Sequence, residues 1–173
     1  AGGAAPMCPE GAWYDTTYAW CVPEWANWPV PADAPGQASY TLTVDTVTDQ
    51  VTGLMWQRHA DISGACGSGS CAWDEAHAYC FDLDLGGFQD WRLPSVIELA
   101  SLVDYSQAYP SPTLDPNAFP GEPGDAFWSA SCYAKTCPEY GPAGGSSAWG
   151  VSFSDGSVGP GDVSNYNRVR CVR

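Results

Sequence analysis

Three sets of side chains in this sequence have the types and spacing that chemistry would need. The first is Asp90, Arg92 and Glu98, two acids and a cation grouped around a turn, able in principle to move a proton or hold an anion. The second is Asp104, Asp115, Glu122 and Asp125, oxygen donors spread along an irregular stretch. Calcium takes about six to eight oxygens, mostly carboxylate and carbonyl, so these four are the candidate ligands of a structural Ca²⁺. The third is a set of eight cysteines. Cys66-x4-Cys71 and Cys132-x4-Cys137 have the look of paired zinc knuckles.

Each set also has a plainer use. Arg92 follows Trp91 at a helix entrance, where a guanidinium is well placed to pair with a carboxylate and tie two elements together, and we read the group as structural. No dense D-x-D-x-D loop collects the four carboxylates, so calcium is a possible ligand and not a required one. The two cysteine pairs sit in Gly/Ser-rich or strand-flanked surroundings, and the other four cysteines offer no matching knuckle. His59 and His77 lie on a loop and a helix, away from any nucleophile pattern. There is no G-x-S-x-G and no H-E-x-x-H, and Cys–His catalysis needs a free thiol where all eight cysteines can pair. No catalytic residue is assigned, and a non-enzymatic role is expected.

The composition fits that expectation. The chain has 173 residues, 45% hydrophobic, with nine Trp, nine Tyr, 19 Gly, 15 Pro and two Met. That is enough apolar mass for one core, in a loop-rich body with short regular elements. Eight cysteines in such a chain point to an oxidising compartment, outside the cell or on its surface. The first residue is Ala1, with no charged-then-apolar leader after it, so a signal peptide is expected to have been removed. No apolar run approaches the roughly 20 residues that span a bilayer, so no membrane insertion is expected. Six basic against 20 acidic residues give a net charge of −14, which argues against nucleic acid, anionic lipid and sulfated polysaccharide.

The elements that must position these side chains are short. Tyr40–Val44 alternates as a strand, Asp45–Gln50 reads as a turn, and Val51–Gln57 as a second strand. Residues 60–70 form a loop. Trp73–Leu83 is a helix with Trp73, Ala76, Cys80 and Leu83 inward and Asp74 and Glu75 in its first turn; Gly86-Gly87 follows. Pro94 ends an extended segment. Ser95 with Glu98 then makes an S-x-x-E capping box for a second helix over 95–104, with Val96, Leu99, Ala100 and Val103 on one face. Residues 104–124 hold five Pro and no periodicity. Trp128–Ser131, Ala148–Phe153 and Arg168–Val172 read as late strands, with an Asp155-Gly156 hairpin turn between two of them. In the last, Val169 and Cys171 point one way and Arg168 and Arg170 the other.

Residues 1–38 differ from everything after them. Cys8 and Cys21 bracket an aromatic segment with Trp13 and Trp20, and Trp25 and Trp28 follow in a Pro-rich, stiff, extended stretch. We read 1–38 as an N-terminal arm with a disulfide-closed loop, and 39–173 as the domain. The arm either covers its own domain or docks on a second copy.

Asp90-Trp91-Arg92-Leu93-Pro94-Ser95 with Glu98-Leu99 resembles the D-W-R-L-P-[ST]-x-x-E-L signature of the Lcl C-terminal domain family. Thr52-Gly53-Leu54-Met55-Trp56 resembles its T-G-L-x-W strand, and Trp73 through Cys80 its W-x-x-A-x-x-Y-C helix. Phe127–Ser131, Ala148–Val151 with Phe153, and Val169–Arg173 correspond as well, so the resemblance covers about residues 40–173. It implies an α+β, C-type-lectin-like domain of bacterial surface proteins: two helices, a small, mostly antiparallel twisted sheet and long loops. It also implies that Trp56, Trp73, Trp91, Trp128 and Trp149 pack in the core. Close spacing suggests the staples Cys8–Cys21, Cys66–Cys71 and Cys132–Cys137. That leaves Cys80 and Cys171, and the resemblance implies the same bond, between the first helix and the last strand.

Family function is carried over with less. Collagen-like adhesins of the family are associated with sulfated glycosaminoglycans, a ligand the −14 charge disfavours here. The sulfatase-modifying relatives of the fold are cysteine-dependent oxidases, but these cysteines fall where staples belong. Lectin-type calcium words are absent, with Asp115-Pro116-Asn117 the nearest echo. The expected function is a binding or assembly module, adhesin-like or a subunit of an extracellular homo-oligomer or filament. The alternative is a calcium-assisted binder of neutral glycan. Scaffolded loops are where such sites form, so partner contacts are expected at Asp115, Asp125, Tyr133 and Tyr140, and assembly contacts at Trp13, Trp20, Trp25 and Trp28.

Overall fold

Residues 168–173 run through the middle of the body, and three elements share their backbone bonds. In a computed structural model, which describes residues 39–60, 69–105, 107, 112–133 and 146–173 together with the backbone of 12–15 and 20–23, Trp128 N–H donates to Arg168 O at 2.9 Å. Arg92 and Val172 exchange N–H···O bonds of 2.9 Å, and Met55 and Arg173 exchange bonds of 3.0 and 2.9 Å. Because its partner changes along its length, the segment forms isolated bridges and not the strand expected over 168–172.

Two small antiparallel sheets flank it. One joins β3 (Tyr40–Leu42), β4 (Thr46–Asp49) and β5 (Met55–Gln57) in that order; the other joins β6 (Ala126–Cys132), β7 (Ser147–Ser152) and β8 (Val158–Asp162). The body is therefore α+β with two three-stranded sheets, where the sequence suggested one. β4 lies where a turn was expected. Asp45 before it and Asp49 at its end suggest a turn, but Thr46, Val47 and Thr48 are β-branched and Val47 is wholly buried. β8 was missed because Gly159, Pro160 and Gly161 read as loop. It survives as an edge strand, the place in a sheet that tolerates proline. The Asp155-Gly156 turn joins β7 to β8, with Gly156 at φ 75°. Gly150 permits the close approach of β6 and β7, since a Cβ there would lie 2.8 Å from Phe127 O.

The two helices are shorter than their patterns. α1 spans Trp73–Phe81 and buries Trp73, Ala76 and Cys80. α2 spans only Val96–Ala100, because Leu102 and Val103 turn their N–H groups to the carbonyls of Leu99 and Ala100, three residues back. Asp104 N–H then leaves for Thr113 O at 2.9 Å.

Two core clusters result. Trp73, Ala76, Cys80, Trp91, Leu93, Trp128, Val169 and Cys171 make one; Val47, Trp56, Leu99, Phe119, Phe127, Val151, Phe153 and Val172 belong to the other. The segment 169–172 supplies both, so each of its faces is covered. Arg170 was expected on the face away from the core and is instead fully buried. Trp149, expected in the core, is only half-buried. Cys80 and Cys171 are joined across the first cluster, at a sequence separation of 91.

The chain separates into two compact units, Ala1–Ala34 and Pro35–Arg173. Within the first, β1 (Ala12–Asp15) and β2 (Trp20–Pro23) pair antiparallel, with Trp13 opposite Val22 and Tyr14 opposite Cys21.

Candidate functional site

The turn from Asp90 to Glu98 is a clamp. Ser95 caps α2: its Oγ accepts from Glu98 N at 3.3 Å while Ser95 N–H donates back to Glu98 Oε2 at 2.8 Å. Arg92 grips the same carboxylate with both terminal nitrogens, at 2.8 and 2.6 Å. Asp90 holds Arg173 in a similar fork at 2.6 and 3.1 Å, and that guanidinium lies 3.7 Å from the Phe88 ring centre. The three charged residues thus bind chain to chain. Hydrogen bonding from Arg92, with Ser95 adding to it, lowers the Glu98 pKa to about 2. A depressed folded-state pKa stabilises the fold above the ordinary glutamate range, and that share is lost as pH falls from there toward about 2. Glu98→Gln should cost about 1 kcal/mol near neutrality and flatten the acid limb of a thermal-stability profile. An unchanged limb would mean that Glu98 titrates normally.

A second ionic group lies inside the body. Arg170 Nη2 is 2.9 Å from Glu122 Oε1, with side chains 0% and 6% exposed. Nη1 donates to the carbonyls of Gln57 and Arg58, and the guanidinium lies 4.3 Å from the Phe119 ring centre. Glu122 Oε1 also accepts from Ala60 N at 2.9 Å. Burial lowers the Arg170 pKa, and Glu122 opposes that. Nearby, Tyr40 packs edge-on against Phe119, and burial, with Asp49, Asp115 and Asp104 adding to it, raises its pKa to about 12.

The structure does not gather the four carboxylates proposed for calcium. Glu122 faces Arg170, and Asp125 Oδ2 accepts from Arg168 Nε at 3.0 Å. Asp115 Oδ1 caps its own turn at Asn117 N and Ala118 N, and Asp104 accepts from Gln107 at 2.7 Å. Among the described residues no three His, Cys, Asp or Glu side chains form a metal-holding group. Cys71 and Cys132 are disulfide-bonded, which removes the zinc reading for both. Their expected partners Cys66 and Cys137 lie outside the described residues, as do Cys8, Trp25, Trp28 and Tyr140; Trp13, Trp20 and Cys21 are described as backbone only. His77 packs edge-on to Trp73, and His59 is exposed. Tyr133 stacks edge-on against Trp149, 5.1 Å between ring centres.

One loop candidate does line a cavity. Asp125 borders a pocket of about 350 Å³ with Ser70, Ala126, Tyr166, Asn167 and Arg168. Apart from Asp125, no residue of this group stood out in the sequence. The sequence places Arg168 only at the start of a late strand and Ser70 in a loop, because their meeting depends on the backbone exchange between Cys71 and Asn167.

A family model described as the Lcl C-terminal domain matches residues 45–173. Among curated proteins there is no match.

Proposed function

Since the chain belongs to the Lcl C-terminal domain family, we propose that it is a non-enzymatic binding and assembly module working outside the cell, with a C-type-lectin-like body and an N-terminal arm that links it to a second copy. Disulfide-bonded Cys71, Cys80, Cys132 and Cys171 support an oxidising compartment. The tie between α1 and the last segment supports the lectin-like body. Among the described residues no helix is long and apolar enough to cross a membrane.

The observation that carries the assembly reading is the arm. β1 and β2 are four residues each and, among the described residues, form a two-stranded sheet in a unit separate from Pro35–Arg173. A lone two-stranded hairpin is marginal in water and needs a surface to pack on. The arm's Pro-rich continuation loses less chain entropy on docking than a flexible one would. Docking in trans, head to tail, closes a ring or propagates a filament according to the rotation between copies.

Deletion of residues 1–38 should convert an oligomer into a monomer in multi-angle light scattering. The intact chain should assemble more strongly as salt rises, because a net charge of −14 opposes close packing at low ionic strength. A monomer both before and after deletion would leave the arm as a cover on its own domain.

A further inference from the structure

The pocket beside Arg168 is walled by backbone that cannot easily move. Cys71 and Asn167 exchange N–H···O bonds of 3.0 and 3.2 Å, and Arg168 N–H donates to Ala126 O at 2.8 Å. Cys71 is also disulfide-bonded. Gly69 sits directly against Arg168 Nη1, so that any side chain there would displace the guanidinium. The pocket therefore presents a fixed set of polar groups, most of them unused. Arg168 spends Nε on Asp125 Oδ2 and makes no side-chain hydrogen bond through its terminal nitrogens among the described residues. Among the described residues, Asp125 Oδ1, the Asn167 amide and the Ser70 and Tyr166 hydroxyls make no side-chain hydrogen bond either. Tyr166 is 65% exposed.

That inventory selects a ligand. An anion would meet the Asp125 carboxylate in a chain of net charge −14, and a cation would meet Arg168. Among the described lining residues a wholly apolar ligand would find Ala126 and Tyr166 alone to pack on. What fits is an uncharged molecule whose groups both donate and accept, with a flat apolar face. Neighbouring hydroxyls of a sugar match the planar guanidinium, carboxylate and amide, and its C–H face matches a tyrosine ring. We propose that this pocket binds a neutral saccharide directly, without a metal ion. About 350 Å³ is within the range of small-molecule sites. The proposal rests on the reading of the chain as a binding module, and adds the site and the ligand class to it.

The test is a titration of the ¹⁵N-labelled full chain, in EDTA, with maltose, cellobiose, lactose and N,N′-diacetylchitobiose. At least one should give saturable shifts at the Tyr166, Asn167 and Arg168 amides. Tyr166→Ala and Asp125→Asn should each weaken that binding about tenfold, while the rest of the spectrum stays that of the folded chain. Tyr166 is exposed and the Asp125 ion pair is at the surface, so neither change should unfold the body. Shifts that cluster elsewhere and survive Tyr166→Ala would overturn the site. Tighter binding of a heparin tetrasaccharide than of any neutral sugar would overturn the ligand class. Silence toward all four disaccharides would overturn the proposal, while light scattering on the arm deletion would still decide the assembly reading by itself.

Discussion

Replacing Cys80 and Cys171 together by alanine should lower the stability of the body by about 4–5 kcal/mol, the loop-entropy expectation for a bond spanning 91 residues. In a domain of this size that is a fall of roughly 10–20 °C in melting temperature, read by circular dichroism. The magnitude follows from what the closed loop contains. α1 begins it and the segment 169–172 ends it, and between them lie α2 and the whole sheet β6-β7-β8. In the unfolded chain the bond holds the two core-forming ends together; without it, that closure must be made during folding. Reducing the intact protein would be a poorer experiment, because Cys71 and Cys132 would open at the same time. A loss below about 1 kcal/mol would mean that the unfolded chain is already confined without this bond, and the loop argument would fail.

What the sequence made legible was local. The capping box at Ser95 and Glu98 depends on residues three apart, and α1 depends on a pattern within one helix; both formed near their expected starts. Arg92 could be placed on a carboxylate because Glu98 lies only six residues along the chain from it. The illegible features are those whose partners lie far along the chain. β8 looks like a loop until β7 supplies its ladder. Arg170 reads as a surface residue by alternation, since the period of two says only that it opposes Cys171. It does not say that both faces are covered, and here the second face is covered by Phe119 and Phe127. The pocket beside Arg168 is of the same kind, built from residues 70, 125–126 and 166–168. The four carboxylates offered to calcium show the same dependence on distant partners, since two of them pair with arginines on the last segment.

Glu122→Gln should destabilise the body by about 3–5 kcal/mol, whereas Glu122→Gln combined with Arg170→Met should cost less than that single change. The pair is buried, so its attraction is offset by the loss of water around both charges. Removing one partner leaves that loss with nothing against it. Glutamine keeps an oxygen for Ala60 N–H, so the single change isolates the charge. Arg170→Met alone should cost a similar amount, by leaving Glu122 uncompensated. In the double variant neither charge remains, and methionine can occupy the space beside Phe119 and Phe127. Some cost persists, because the carbonyls of Gln57 and Arg58 lose their donor. Urea denaturation of the four proteins closes the cycle, with a coupling of at least about 2 kcal/mol expected. Additive losses would show that Arg170 acts through those two carbonyls and the rings, with Glu122 contributing only its bond to Ala60. Full coupling would make the ion pair the joint between residues 57–60, the loop at 122 and the segment that carries Cys171. That joint and the Cys80–Cys171 bond hold adjacent residues of the same short segment, one through charge and one through sulfur, which is why both changes should affect the whole body and neither should act on a single element.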